Sequence, residues 1–330
     1  CVMNFEGAQG WLVGAPNEGL RCMFTMMNSA RLMVGLQGLG IAEAAYQISL
    51  GFAKERLQSR SLSGPKSADK PADPITVHPD VRRNLLRQKV MIEGCRALAY
   101  FTGMHADIAH SHEDASTRQQ ADDLVQLLTP VVKAFLTDEG FNCANDGLQV
   151  MGGSGYTQDW GIEQLVRDAR ITMIYEGTNG IQALDLVGRK LGLAGGRAVR
   201  GFFELVQTWL KDNPQAPHVS AVAKALQQLQ KATLWVASEG MKDPEQAGAA
   251  ATPYLRLFAL TSLAWLWSRM AAVASAQLQQ ETAEKIFYGA KLKSADFFMA
   301  RILVETDSLL AEVVSGKATL MAFADDEFAA

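Results

Sequence analysis

Residues 149–159 read Gln149-Val-Met-Gly-Gly-Ser-Gly-Tyr-Thr-Gln-Asp, and residues 165–182 read Leu165-Val-Arg-Asp-Ala-Arg-Ile-Thr-Met-Ile-Tyr-Glu-Gly-Thr-Asn-Gly-Ile-Gln. Gly152, Gly153 and Gly155 end a helix, and a backbone without side chains is free to approach an anionic group. Glu176 stands just before Gly177-Thr178, where the pattern opens another helix. A helix start supplies positive potential and unpaired N–H groups, so a carboxylate there has a chemical setting. Taken alone, the same residues also read as a C-cap and a favourable first-turn acid, because carboxylates near helix starts are common.

Outward from this stretch, the signals are helical on both sides. Upstream, Gly35, Gly38, Ala42, Ala45 and Ser49 fall alternately three and four apart within residues 29–58, which places them on one helix face and lets a neighbouring helix approach closely. Asn17 reads as the N-cap of that region, with Glu18 in the first turn. A loop from Arg60 to Val77 holds Pro65, Pro71 and Pro74. Pro79 fits position N1 of a helix reaching about Ala109. A further helical stretch from about Ser116 to Met151 is expected to be jointed near Pro130 and Gly140. Short helices are expected at Ile162–Ala169 and Thr178–Leu191, and Gly195-Gly196 marks a boundary. Residues 197–315 then read as amphipathic helices broken near Pro214–Pro217 and around Asp243–Gly248. Only the first fifteen residues look strand-like: Val2–Phe5 and Trp11–Val13 flank Gly7-Ala8-Gln9-Gly10 with the spacing of a hairpin. Two strands alone are marginal in water, so they read as the edge of a sheet. The fold class is therefore mostly α, a helical bundle followed by a second helical domain.

Composition narrows the function. The 330 residues are 48% hydrophobic and 20% charged, with a net charge of −4, which argues against nucleic acid or an anionic membrane as the main partner. The most apolar segment, Leu257–Ser268, is shorter than the ~20 residues that span a bilayer. Cys1, Cys22, Cys95 and Cys143 form no Cys-x-x-Cys pair, so neither a zinc site nor a disulfide framework is indicated, and a reducing, cytoplasmic setting is expected. Gly35, Gly38 and Gly40 lie inside a helix with no preceding strand, so they read as helix packing and not as a dinucleotide fingerprint. His105, His110 and His112 near Asp107, Glu113 and Asp114 lack the i, i+4 pairing of a helical metal site and read as solvated groups at a helix end; no metal is expected.

The order Gly-Gly-x-Gly-Tyr-Thr, Arg-Asp-Ala-x-Ile, Ile-Tyr-Glu-Gly-Thr-x-x-Ile-Gln runs in register from Gly152 to Gln182 and resembles the C-terminal signature of the acyl-CoA dehydrogenases. Arg31, in Met-Asn-Ser-Ala-Arg, and Arg56, in Phe-Ala-Lys-Glu-Arg, match two further arginines of that family. The resemblance covers residues 1 to about 192, and residues 193–330 look like the extra helical domain of its longer members. It divides the chain into the end of a middle β-domain at 1–15, a helical bundle of the family's C-terminal type at 16–192, and the additional helical domain. Since family members begin with a helical domain and a β-domain, Cys1 reads as a cut within a longer chain, one expected to fold through its helices but to bind FAD poorly.

The resemblance implies FAD-dependent α,β-dehydrogenation of an acyl-CoA to the trans-2-enoyl-CoA, with electrons passed to an electron-transferring flavoprotein. Glu176 matches the catalytic base, whose backbone N–H helps to hold the thioester oxygen while hydride leaves to the flavin. Arg56, Gln149, Gly152, Gly153 and Thr178 match cofactor contacts, and Arg31 and Gly177 match the substrate side. Gln149, Gly152 and Gly153 match positions that contact FAD of a neighbouring subunit. At 1.5 Å per residue, Arg31 and Arg56 stand about 37 Å apart on a continuous helix, so they serve two sites, and a dimer at least is expected. Departures from the family pattern are Asn28 in place of an acid, Ser59-Arg60 in place of Phe-Gly, and Gly180 in place of a polar residue. Two other readings stand beside this one: a flavoprotein of the same fold that protects DNA from alkylation, and a non-catalytic helical oligomerisation module. The acidic balance and the retained Glu176 count against the first.

Overall fold

Gly38 is where the bundle closes. A Cβ on Gly38 would lie 2.6 Å from the Leu136 carbonyl oxygen, and one on Gly140 would lie 2.9 Å from the Gly38 Cα. Glycine at both positions lets the backbones of α1 (Gly19–Glu55) and α3 (Ala115–Met151) touch. Gly35 faces Val132 and Gly147 faces Ala45, so the two helices run parallel. Helix α2 (Pro79–Ser111) packs along both of them. The chain, seen in a computed structural model, is described over residues 2–280 and 283–329, so Cys1 lies outside the described residues.

Several elements differ from expectation for identifiable reasons. The hairpin at residues 2–13 is not formed: no strand occurs among the described residues, and Val2 and Trp11 are 97% and 83% exposed. Nothing in the described chain covers that face or supplies a third strand, and two strands alone do not hold in water. Asn17 is not an N-cap; it adopts φ +66°, and Glu18 occupies the cap position without a side-chain cap bond. Helix α3 carries no joint: Pro130 lies inside it, buried, and Gly140 is small to admit α1, not to bend the helix.

After α3 come α4 (Gly153–Tyr156), α5 (Ile162–Thr172) and α6 (Asn179–Asp185), the last continuing as a π-turn through Lys190. Ala194, Gly195 and Gly196 all have positive φ and turn the chain into α7 (Arg197–Asp212). Then follow α8 (Val219–Lys242), α9 (Pro244–Leu278), α10 (Lys285–Arg301) and α11 (Glu305–Ser315). Asp243 caps α9 through the Glu245 N–H at 3.0 Å, so Gly248 lies within a helix and not in a break. By length and composition α9 could cross a membrane, yet 78% of its apolar window is buried inside the protein. It is the central core helix, with Trp265 and Trp267 enclosed. One apolar cluster runs from Leu39 and Phe135 through Phe202, Phe258 and Trp265 to Phe298 and Val313, joining the first bundle to the later helices.

Candidate active site

Helix α5 starts beside Gly147 and carries the chain back along α1, until the Tyr175 hydroxyl donates to Gln37. The turn that follows places Glu176 and Gly177 at φ +59° and +84°. A side chain on Gly177 would meet the Gln182 amide nitrogen at 2.7 Å, so this position requires glycine twice over. Thr178 caps α6, accepting from the Ile181 N–H at 3.3 Å. The backbone N–H groups of Glu176, Gly177 and Thr178 have no partner among the described residues, and one carboxylate oxygen of Glu176, Oε2, is buried and unpaired. A buried acceptor with no donor beside three unused N–H groups is an arrangement that a ligand, and not the protein, completes.

Beneath the turn lies a polar layer that the spacing of residues in the sequence did not reveal. Lys133, fully buried in α3, donates from Nζ to the Gly177 carbonyl at 2.8 Å and to Asn179 Oδ1 at 2.9 Å. The Gln182 amide donates to the carbonyls of Glu176 and Gly177 at 3.2 and 3.3 Å. Asn179 donates in turn to Asp138 at 2.7 Å. Burial pulls the Lys133 ammonium down to about 8, with Asp138 opposing the shift and Arg31 adding to it. Burial also pushes the Asp138 carboxyl up to about 6, against the Asn179 hydrogen bond. The signal that could have found Lys133 is a lone cation within the apolar run Pro130–Leu136.

Arg31 stands at the same end. It is buried, its Nη1 lies 3.3 Å from Asp185 Oδ2, and its Nη2 lies 3.8 Å from where a Gly177 Cβ would be. Asp185 also pairs with Arg189 at 3.4 Å. The Arg31 Nε is buried without a partner among the described residues, beside a cavity of about 140 Å³ lined in part by Asn28, Asp122, Gln126 and Lys190. Asn28, the residue standing where an acid was expected, thus shares a cavity with Arg31, while Asp185 supplies the carboxylate.

The remaining residues singled out in the sequence sit elsewhere. Ala53 of α1 and Val150 of α3 share one apolar cluster, so Arg56 and Gly152 leave those helices at the same end. Arg56, Gln149, Gly152 and Gly153 are exposed there, and Arg56 has no carboxylate partner among the described residues. A Cβ on Gly152 or Gly153 would meet nothing within 4 Å, so there is room beside them, although the Gly152 N–H already donates to the Leu148 and Gln149 carbonyls. Since α1 is unbroken up to Glu55, the Arg31 and Arg56 ends stand roughly 37 Å apart. The histidines stay with their helices: His105 bonds the Phe101 carbonyl at 2.8 Å, and His112 accepts from the Asp114 N–H while Asp114 caps α3.

Residues 17–191 match the family described as acyl-CoA dehydrogenase, C-terminal domain, and residues 202–324 match that described as acetyl-CoA dehydrogenase C-terminal like. The 3-methylmercaptopropionyl-CoA dehydrogenase of Ruegeria pomeroyi is 40% identical over 92% of this chain and 52% of its own length. The broad-specificity linear acyl-CoA dehydrogenase FadE5 of Mycobacterium tuberculosis is 33% identical over 90% of this chain and 51% of its own. The chain spans about half the length of the curated relatives it matches. Among solved structures, ACDH-11 of Caenorhabditis elegans, in complex with C11-CoA, shares the fold with a TM-score of 0.72 at 18% identity, over 87% of this chain and 45% of that one. The acyl-CoA dehydrogenase of Bacillus anthracis complexed with FAD does so with a TM-score of 0.65 at 18% identity, over 90% and 50%.

Proposed function

The chain belongs to the acyl-CoA dehydrogenase family, and on that premise we propose that it supplies the base and part of the cofactor site of an enzyme that dehydrogenates acyl-CoA thioesters between Cα and Cβ. The observation that carries this reading is the buried, unpaired Glu176 oxygen beside unused N–H groups. In this reading Glu176 accepts the α-proton. Its own N–H donates to the thioester oxygen, where negative charge grows as that proton leaves; a donor fixed in advance needs no reorganisation at that moment. Arg31, held by Asp185, lies beside the turn on the substrate side.

The residues present suit FAD. Arg56 is a cation with no carboxylate partner among the described residues, and at the same end Gly152 and Gly153 carry no side chain to bar the approach of a pyrophosphate. Arg56, Gln149, Gly152 and Gly153 would hold the cofactor, with Thr178 contacting it near the base, and bound FAD supplies the acceptor for the β-hydride. The length of α1 supports two uses of one helix: the Arg31 end for the substrate of this chain, the Arg56 end for the FAD of a second copy. The reading therefore includes a homo-oligomer, at least a dimer, and an electron-transferring flavoprotein as acceptor. The 40% identical relative makes 3-methylmercaptopropionyl-CoA the first thioester to offer, with straight-chain acyl-CoAs beside it.

In the FAD-loaded holoenzyme, Glu176→Gln should stop acyl-CoA from bleaching the visible flavin band, a loss of about 10²-fold or more in rate, while FAD stays bound. Bleaching at the wild-type rate would remove Glu176 from the role.

A further inference from the structure

We propose that Lys133 and Gln182 are positioning residues that clamp the carbonyls of the Glu176–Gly177 turn inward, so that the Gly177 and Thr178 N–H groups face outward and the backbone that carries the Glu176 carboxylate is held in place. The inference rests on the reading of Glu176 as the base.

Lys133 is a costly residue in this place. An ammonium taken fully out of water loses its hydration, and among the described residues no carboxylate lies within hydrogen-bond distance of Lys133 to offset that. An apolar side chain of the same length would fill the space without that cost. Among the described residues its hydrogen bonds go to Gly177 and Asn179, one on each side of Thr178. Gln182, also fully buried, sends its amide to the two carbonyls of the same turn and leaves its own Oε1 unpaired. Two buried donors on different helices thus converge on two consecutive carbonyls.

Trans peptide planarity converts this into orientation. In a peptide unit, C=O and N–H point in opposite directions, so fixing a carbonyl inward fixes the next N–H outward. The Glu176 carbonyl held by Gln182 sets the Gly177 N–H, and the Gly177 carbonyl held by Lys133 sets the Thr178 N–H; both N–H groups are unpaired. The positive φ of Glu176 is a strained state that ordinary backbone would leave, and it persists where surrounding bonds over-determine it. Lys133 and Gln182 supply those bonds.

The test separates proton removal from hydride transfer. An acyl-CoA with sulfur in place of the β-carbon has no β-hydrogen, so incubating it with the holoenzyme in D₂O reads only exchange of the α-proton. Lys133→Met and Gln182→Met should each slow that exchange about 10- to 100-fold, as displacement of a catalytic group does. FAD content and the dissociation constant of the same thioester should be unchanged, which a general loss of structure would not allow. Wild-type exchange in either folded variant overturns the clamp, and if Lys133→Met does not fold, Gln182→Met decides. Glu176→Gln run alongside keeps the two readings apart. Fast exchange there defeats the base assignment itself. Slow exchange there, with fast exchange in the clamp variants, defeats only this inference.

Discussion

At Glu176 the backbone sits at φ +59°, where an L side chain clashes with its own carbonyl, and one carboxylate oxygen is buried without a donor. The conformation costs roughly 1–2 kcal/mol, and an unsatisfied buried acceptor costs about 1–3 kcal/mol. Both burdens fall on one residue, as happens where function sets the conformation. Glu176→Gly removes both, so it should abolish α-proton exchange while leaving the melting temperature equal to wild type or higher. A fall in melting temperature would mean that the side chain contributes to folding, contrary to this account. The turn around Glu176 was legible in the sequence because Gly177 and Thr178 mark a helix start, while the reading of Glu176 as a base came from the family resemblance alone. Lys133 was not legible, because an apolar run read along one helix gives no sign that a residue 44 positions on will lie against it.

At the scale of the element, the loop between α1 and α2 is more ordered than its prolines suggest. Asp73, fully buried, accepts from the N–H groups of Ser61 at 2.9 Å, Lys66 at 2.9 Å and Ser67 at 2.7 Å. Arg60 completes the hub, donating to Asp73 at 3.3 Å and to the carbonyls of Ser67 and Lys70. In the sequence Arg60 stands out only as a departure from the family pattern; in the structure it is a residue around which a longer loop folds. The loop begins at Arg56, whose carbonyl accepts from the Ile75 N–H at 2.9 Å, so its order bears on where that arginine stands. The backbone bonds from Ser61, Ser67 and Lys66 hold the Asp73 carboxyl down to about 2. Its folded value lies below its unfolded one, so the stability it contributes is present above about pH 4 and is lost as pH falls toward 2. Asp73→Asn should mimic that loss at any pH, because an amide nitrogen cannot accept from an N–H. Pepsin at pH 4 should cut the variant at Leu57 or Leu62 and spare the wild type, which should become susceptible only nearer pH 2. Equal resistance at pH 4 would show that Asp73 does not hold the loop.

At the scale of the whole molecule, several helices were legible because they carry periodicity, a cap or a proline start, although α9 proves apolar all round and α10 has neither a side-chain cap bond nor a proline start. How the two sets of helices meet was not, since a pattern along the chain shows which face is apolar and says nothing of what covers it. The glycine pair at Gly195-Gly196 marks a change of direction, yet the apolar core runs on across it, with the Phe101 and Trp265 rings edge to face at 5.3 Å. A charged bridge crosses the same junction. Arg256 of α9 donates to Glu139 of α3 at 2.9 Å and to Glu305 of α11 at 2.9 Å, and lies over the Phe135 ring at 5.5 Å. Glu139 is 2% exposed and also holds Arg87 of α2 at 2.8 Å, so four helices share one ion network. Arg256→Met keeps the volume but, among the described residues, leaves Glu139 with one cation and Glu305 with none, at a cost of about 1.5–3 kcal/mol, the worth of hydrogen bonds to charged groups. Because one core spans both sets of helices, that loss should appear in calorimetry as a lower melting temperature within a single transition. Two separated transitions in the wild type would contradict the shared core, and an unshifted melt in Arg256→Met would remove the bridge from what holds the halves together.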